Sequence, residues 1–251
     1  MKLHSVLRKL AGVAAVAGAL ATAQAQAQSV AVTSIVEHPA LDAVKDGVHE
    51  ALASAGYTEA KGLKWQFQTA QGNTAIAAQI ARKFVGDKPD VIVAIATPSA
   101  QAVVAATKTI PVVYSAVTDP VAAQLVPGWE ASGTNVTGVS DALSLEKQVE
   151  LIRKVVPDAK KVGMVYNPGE ANSVVVVKRL RELLPQSGMS LVEATAARTV
   201  DVGAAARSLV GKVDVIYTNT DNNVVSAYES LVKVGNSAKI PLVASDTDSV
   251  K

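Results

Sequence analysis

Most of the side chains able to do chemistry in this sequence lie in four loops. Ala96-Thr97-Pro98-Ser99-Ala100-Gln101 follows an apolar run and sets two hydroxyls at a helix start, with Pro98 suited to the first helical position. Thr97 as N-cap, beside the free N–H groups of a first turn, would form an anion site that suits a carboxylate; the same hydroxyl could equally just cap its own helix. Val117-Thr118-Asp119-Pro120 closes the next run, where Asp-Pro is an ordinary turn signal as well as a candidate contact. Tyr166-Asn167-Pro168-Gly169-Glu170-Ala171-Asn172-Ser173 and Thr218-Asn219-Thr220-Asp221-Asn222-Asn223 each precede a helix and carry more Asn, Asp and Ser than a turn requires. With Ser34 near the end of the first run and Asp246 after the last, the candidate ligand-binding set is Ser34, Thr97, Ser99, Thr118, Asp119, Tyr166, Asn167, Glu170, Asn172, Ser173, Thr218, Asn219, Asp221 and Asp246.

Such residues bind; nothing in their spacing makes a reaction. The sequence contains no GxSxG, HExxH or GxxxxGK[ST]. His38 beside Pro39 and His49 inside a helical stretch have no metal-ligand spacing, and surface or packing roles suit both. No catalytic residue, metal or cofactor is therefore expected. Tyr114, Tyr166 and Tyr217 fall near strand ends, where a ring with a polar tip could wall a pocket or simply belong to a sheet.

The elements that must position these loops are short β-branched runs alternating with helical stretches, the pattern of parallel α/β architecture. Strands are expected over 30–36, 63–69, 91–95, 112–117, 162–166, 191–195, 213–217 and 241–244. Helices are expected over 41–55, from Asn73 to 85, and over 145–156 behind Ser144 with Pro157 as the stop. Polar residues follow the C-terminal end of each strand.

An internal repeat organises the chain. Lys88-Pro89-Asp90-Val91-Ile92 recurs as Lys212-Val213-Asp214-Val215-Ile216, and Ile110-Pro111-Val112-Val113 as Ile240-Pro241-Leu242-Val243. Both copies run on into Ser/Thr-rich acidic loops, 115–119 and 245–248. Two similar lobes are expected, 28–138 and 139–251, with the boundary near Thr134-Asn135-Val136-Thr137-Gly138. Ligands sit outside the carboxyl ends of parallel strands, so facing lobes would build one cleft. A single doubly wound domain with a one-sided site is the alternative.

Lys2, Arg8 and Lys9, an apolar run over 10–20 and two Ala-Gln-Ala sites read as a secretory signal peptide over 1–27, too short in its apolar part for a spanning helix. Its removal takes three positive charges from a net of +2 and leaves about −1. No basic stripe is present, which argues against nucleic acid. Cysteine is absent, so no lipid can be attached and no disulfide formed, and the fold must rest on core burial. A periplasmic location is expected.

At Thr97-Pro98-Ser99-Ala100-Gln101, Val117-Thr118-Asp119-Pro120-Val121, the 166–173 segment, Thr220-Asp221-Asn222 and Ser245-Asp246-Thr247-Asp248-Ser249 the chain resembles the TrpX-like family of ABC transporter substrate-binding proteins, of type I periplasmic-binding fold. The resemblance implies a monomer that binds a small solute, aromatic amino acids above all, and delivers it to ABC permease subunits. An exported ligand-sensing module or enzyme on the same scaffold is the alternative. Family members look longer, so the end of the second lobe is expected to be missing after Lys251. For an amino-acid ligand, Thr97 and Ser99 would meet the carboxylate. Asp221 and Glu170, ahead of Asp246, would meet the ammonium.

Overall fold

The computed structural model describes residues 28–249, so the signal peptide expected over 1–27 lies outside the described residues. Strands β1 (Ser29–Ser34), β2 (Lys64–Thr69), β3 (Val91–Ile95), β4 (Val112–Val117) and β5 (Val136–Ser140) form a parallel sheet in the order β2-β1-β3-β4-β5. Strands β6 (Lys161–Tyr166), β7 (Ser190–Thr195), β8 (Val215–Thr218) and β9 (Leu242–Ala244) form a second parallel sheet, β7-β6-β8-β9. The same order in both is what the repeat requires.

The repeated residues also do the same work twice. The Asp90 carboxylate accepts from the Ser29 N–H (2.7 Å) and hydroxyl (2.8 Å) at the start of β1. Asp214 accepts from the Lys160 and Lys161 N–H groups, both at 2.8 Å, at the start of β6. Ile92 N–H donates to Pro111 in one lobe and Ile216 N–H to Pro241 in the other, both at 2.9 Å. Each aspartate ties the entry of its third strand to that of its first.

Helices α1 (Pro39–Ser54), α2 (Thr74–Asp87) and α3 (Thr97–Ala106) cover the first sheet; α4 (Leu145–Val155), α5 (Ala171–Gln186), α6 (Val202–Ser208), α7 (Asn222–Ser226) and α8 (Tyr228–Ala238) belong with the second. Alternate strand residues serve opposite faces. Ala31, Ile92 and Ala94 pack with Phe84 and Val103, whereas Val30, Val32, Val93 and Ile95 pack with Leu41, Val44, Val48 and Leu52 of α1. The second lobe divides likewise, Met164 and Tyr217 against Leu180 and Leu184 on one face, Val165 and Ile216 against Leu209 and Leu231 on the other. The sheets are buried on both sides, hence their nearly continuous apolar runs.

Helix starts follow their caps. Asn73 accepts from the Ala75 and Ile76 N–H groups ahead of α2, and Ser144 from Lys147 N–H ahead of α4. Thr97 departs from expectation. It is the first residue of α3, and the cap position is Ala96, held at φ 71° and ψ 153°. Strand β5 was not expected at all, and it falls where the lobe boundary was read.

Candidate functional site

Between the lobes lie two adjoining chambers of about 250 and 210 Å³. The first is lined by His38, Ala40, Leu41, Val44, Ala96, Thr97, Ala116, Asn172, Asn222, Val225 and Asp246, the second by Asp119, Trp129, Leu145, Val175, Val176, Arg179, Tyr217 and Asn219. Thr118, Asp141, Leu143, Thr220 and Ser245 border both. Nearly every polar member follows the C-terminal end of a parallel strand: Thr97 after β3, Thr118 after β4, Asp141 after β5, Asn219 and Thr220 after β8, Ser245 and Asp246 after β9. Ala171, at the start of α5, packs on the core of the first lobe, so the two walls touch beside the chambers.

The backbone is strained where it meets this space. Ala96 (φ 71°) and Ala116 (φ 53°) are non-glycine residues in the left-handed region, and both line the first chamber. Such conformations cost of order 1–3 kcal/mol each and persist at sites that need them. Here they turn the start of α3 and the end of β4 toward the cleft.

Unspent hydrogen-bonding capacity is concentrated in the same walls. Thr97 Oγ1, Asp141 Oδ1, Asn172 Oδ1, Asn219 Oδ1 and Ser245 Oγ are buried without a hydrogen-bond partner among the described residues; Ser99 Oγ, two residues on from Thr97, shares that state but lines neither chamber. Orphaned buried groups are few in native proteins and cost about 1–3 kcal/mol each, so five of them along one cleft call for a ligand. Burial pushes the Asp141 carboxyl above the usual carboxylate range, against the pull of the Thr118 hydroxyl. By contrast, a groove of about 960 Å³ on the outside of the second lobe, lined by Thr199, Arg207, Tyr228 and Lys233, contains none of the orphaned atoms. The cleft is the better site.

Behind the second-lobe wall stand two buried carboxylates. Asp221 caps α7, accepting from Asn223 and Val224 N–H (both 3.0 Å), and also accepts from Asn167 N–H and the Ser173 hydroxyl (both 2.6 Å). Glu170 accepts from Asn172 Nδ2 (3.0 Å), Asn222 N–H (3.1 Å) and Asn222 Nδ2 (2.6 Å). Burial, then the neighbouring Asp221 charge, raises the Glu170 carboxyl to about 7; burial pushes Asp221 up as well. The four donors on Asp221 oppose its shift.

These contacts redistribute the candidates. Thr97, Thr118, Asp119, Asn172, Asn219 and Asp246 line the chambers. Asp119 also closes its own turn on Val121 and Ala122 N–H, and Asp246 holds Asp248 and Ser249 N–H. Asp221, Glu170, Asn167 and Ser173 form the scaffold behind the wall, so the first two are misplaced as ammonium partners. Ser34 donates to the Val36 carbonyl, Thr218 to that of Val243, and Tyr166 to Glu193 on β7; none lines a chamber. Of the three tyrosines only Tyr217 does. His38 caps α1 by accepting from Ala40 N–H, and His49 pairs with Glu59 and stacks edge-on against Trp65. Asp141 was missed because β5 was: Val136-Thr137-Gly138-Val139-Ser140 shows no apolar alternation, its second valine being exposed.

Among the described residues no helix is long and apolar enough to cross a membrane, and no three His, Asp or Glu side chains are grouped to hold a metal ion. A curated relative, the Tyrosine-binding protein of Clostridioides difficile, is 44% identical over 223 residues, 89% of this chain and 65% of the relative. The chain thus spans just under two thirds of that relative's length. Among solved structures, a conserved domain protein of Vibrio cholerae superposes with a TM-score of 0.88 at 51% identity, covering 90% of this chain and 76% of that one. An ABC domain from Streptococcus pneumonia in complex with L-Trp gives 0.86 at 33%, covering 89% and 75%. The two parallel lobes have the type I periplasmic-binding architecture. The family described as ABC transporter substrate binding protein matches residues 29–251, the whole stretch that builds the lobes and their cleft, and the chain belongs to that family.

Proposed function

We propose that this chain is the periplasmic solute-binding subunit of an ABC importer. It acts as a monomer, closing two lobes whose boundary lies past β5 rather than at 138, on one free amino acid, with aromatic ones favoured, and it catalyses no reaction. The observation that carries the reading is the set of orphaned buried atoms on residues that line one cleft from both lobes: a carboxylate, two amide oxygens and two hydroxyls, one of them at a helix start. An α-amino acid is matched to that set. Its ammonium takes Asp141 and Asn172 Oδ1, and its carboxylate takes Thr97 Oγ1 and the first turn of α3, where partial positive charge favours an anion. The ligands named for these two proteins, tyrosine and L-Trp, are of the same class. Delivery of the solute to permease subunits follows from the family.

Thermal unfolding in the presence of each free amino acid tests the reading, with mass spectrometry of the recovered ligand to detect turnover. Stabilisation by one or a few aromatic amino acids, returned unchanged, is expected. A chain whose melting temperature responds to no amino acid at millimolar concentration overturns the proposal.

A further inference from the structure

We infer that Asn219 reads the ligand's side chain by accepting a hydrogen bond from an O–H or N–H on its ring, which makes the preferred solute an aromatic amino acid bearing a ring donor. The inference rests on the amino-acid reading above and adds a specificity-determining residue to it.

The orientation of the Asn219 amide is fixed by a relay. Asp221 accepts the Ser173 hydroxyl proton at 2.6 Å, which leaves Ser173 Oγ only lone pairs to offer. Asn219 Nδ2 donates to that oxygen at 3.1 Å. Rotating the amide by half a turn would set two acceptors face to face, so the assignment follows from the network. Asn219 Oδ1 is therefore turned away from Ser173, buried and without a partner, on a residue that lines the second chamber.

That chamber otherwise suits a ring. Leu143, Leu145, Val175, Val176 and Tyr217 supply apolar wall, and Trp129 stands at its exposed side. Asp141 borders both chambers, so a ligand whose ammonium meets Asp141 has its Cα at the junction and sends its side chain into the space beside Asn219. A hydrocarbon ring would leave Oδ1 as unsatisfied as it is without ligand, whereas a phenol or indole donor would satisfy it.

Calorimetric titration of the unmodified chain with L-tyrosine, L-phenylalanine and 4-fluoro-L-phenylalanine, which matches the phenol closely in size but has no donor, tests this. Tyrosine should bind roughly ten- to hundredfold more tightly than the other two. Asn219→Ala should weaken tyrosine alone, until the three agree within about threefold. Ser173→Ala frees the amide to rotate and should narrow the preference while binding persists. Equal affinities for tyrosine and phenylalanine in the unmodified chain overturn the role of Asn219 and leave the amino-acid reading standing, as does a tyrosine preference that survives Asn219→Ala. Absence of binding to all three overturns both. Should Asn219→Ala not fold, the ligand series on the unmodified chain decides alone.

Discussion

Replacing Asp141 by Asn removes one charge and almost no volume from the junction of the two chambers. Its Oδ1 is buried without a partner, and burial already pushes the carboxyl upward, so the unliganded protein carries a desolvated charge that a bound ammonium would compensate. Breaking a buried pair by removing one member costs about 3–5 kcal/mol, a few hundredfold to a few thousandfold in affinity. Stability should move the other way. An acid with a raised folded pKa favours the fold while protonated, a contribution fully present below the ordinary carboxylate value and lost as pH rises through the raised one. Asp141→Asn should therefore melt at or above the parent temperature at neutral pH while binding at least a hundredfold more weakly. Ligand affinity of the parent should fall as pH drops through the Asp141 pKa, because the ammonium needs the ionised form, and the variant should lose that dependence. Calorimetry with L-tyrosine between pH 4 and 8, paired with thermal melts, measures both. An affinity within threefold of the parent would refute the assignment of the ammonium site.

Glu170→Gln addresses the carboxylates behind the wall. Lifting a carboxyl from 4.5 to about 7 makes the parent lose about 3 kcal/mol of stability as pH rises across that interval, and the variant should lose markedly less in urea titrations at stepped pH. Trp129 is 65% exposed and lines the second chamber, while Trp65 packs against His49, so ligand should shift the intrinsic fluorescence of the parent and leave that of Trp129→Phe unchanged. A Cβ at Gly138 would drive into the Tyr114 carbonyl oxygen, so Gly138→Ala must displace β5 from β4. A loss of about 1–3 kcal/mol in denaturant unfolding is expected, with weaker ligand binding because Asp141 directly follows that strand.

How much of this was legible depended on burial. Eight of the nine described strands carry a readable signal: the central β1, β3, β4, β6 and β8 are apolar runs, and the edge strands β2, β7 and β9 keep β-branched or aromatic residues such as Trp65, Phe67, Val192 and Val243; 91–95 and 112–117 coincide with β3 and β4. Strand β5 lies at the sheet edge, with Thr137 and Val139 exposed and Gly138 pressed on Tyr114, so its composition resembles a linker. Losing that strand lost Asp141, which has no other signal. Thr97 was read as a cap from residue type, but nothing in a sequence announces an alanine at φ 71°. Density of Asn, Asp and Ser points to the second-lobe loops from which Asn172, Asn219, Thr220 and Asn222 border the chambers. It could not tell which carboxylates face the cleft, because orientation is set by donors such as Asn167 N–H and Ser173 that come from another strand end.

Duplication produced two sheets of the same order, yet the two walls became chemically unlike. The first lobe offers Asp141, a helix start and Asp119, which is closed on its own turn; the second offers Asp246, likewise tied to its own turn, and amide oxygens held from behind by Glu170 and Asp221. Had Glu170 and Asp221 also faced the cleft, further carboxylates would have crowded one cation, raising one another's pKa at the expense of attraction. Set behind Asn172 and Ser173, they act instead as anchors. Each fixes a neutral acceptor in one orientation before the ligand arrives, which reduces the ordering cost of binding. The burden falls on the stability of the second lobe, where the raised Glu170 pKa registers it. Because Asp141 and Thr97 belong to the first lobe while Asn172 and Asn219 belong to the second, the ligand meets its full set of partners only when the lobes face each other, and its affinity is greater for the closed arrangement than for an open one. That difference is the only quantity by which a ligand can drive closure.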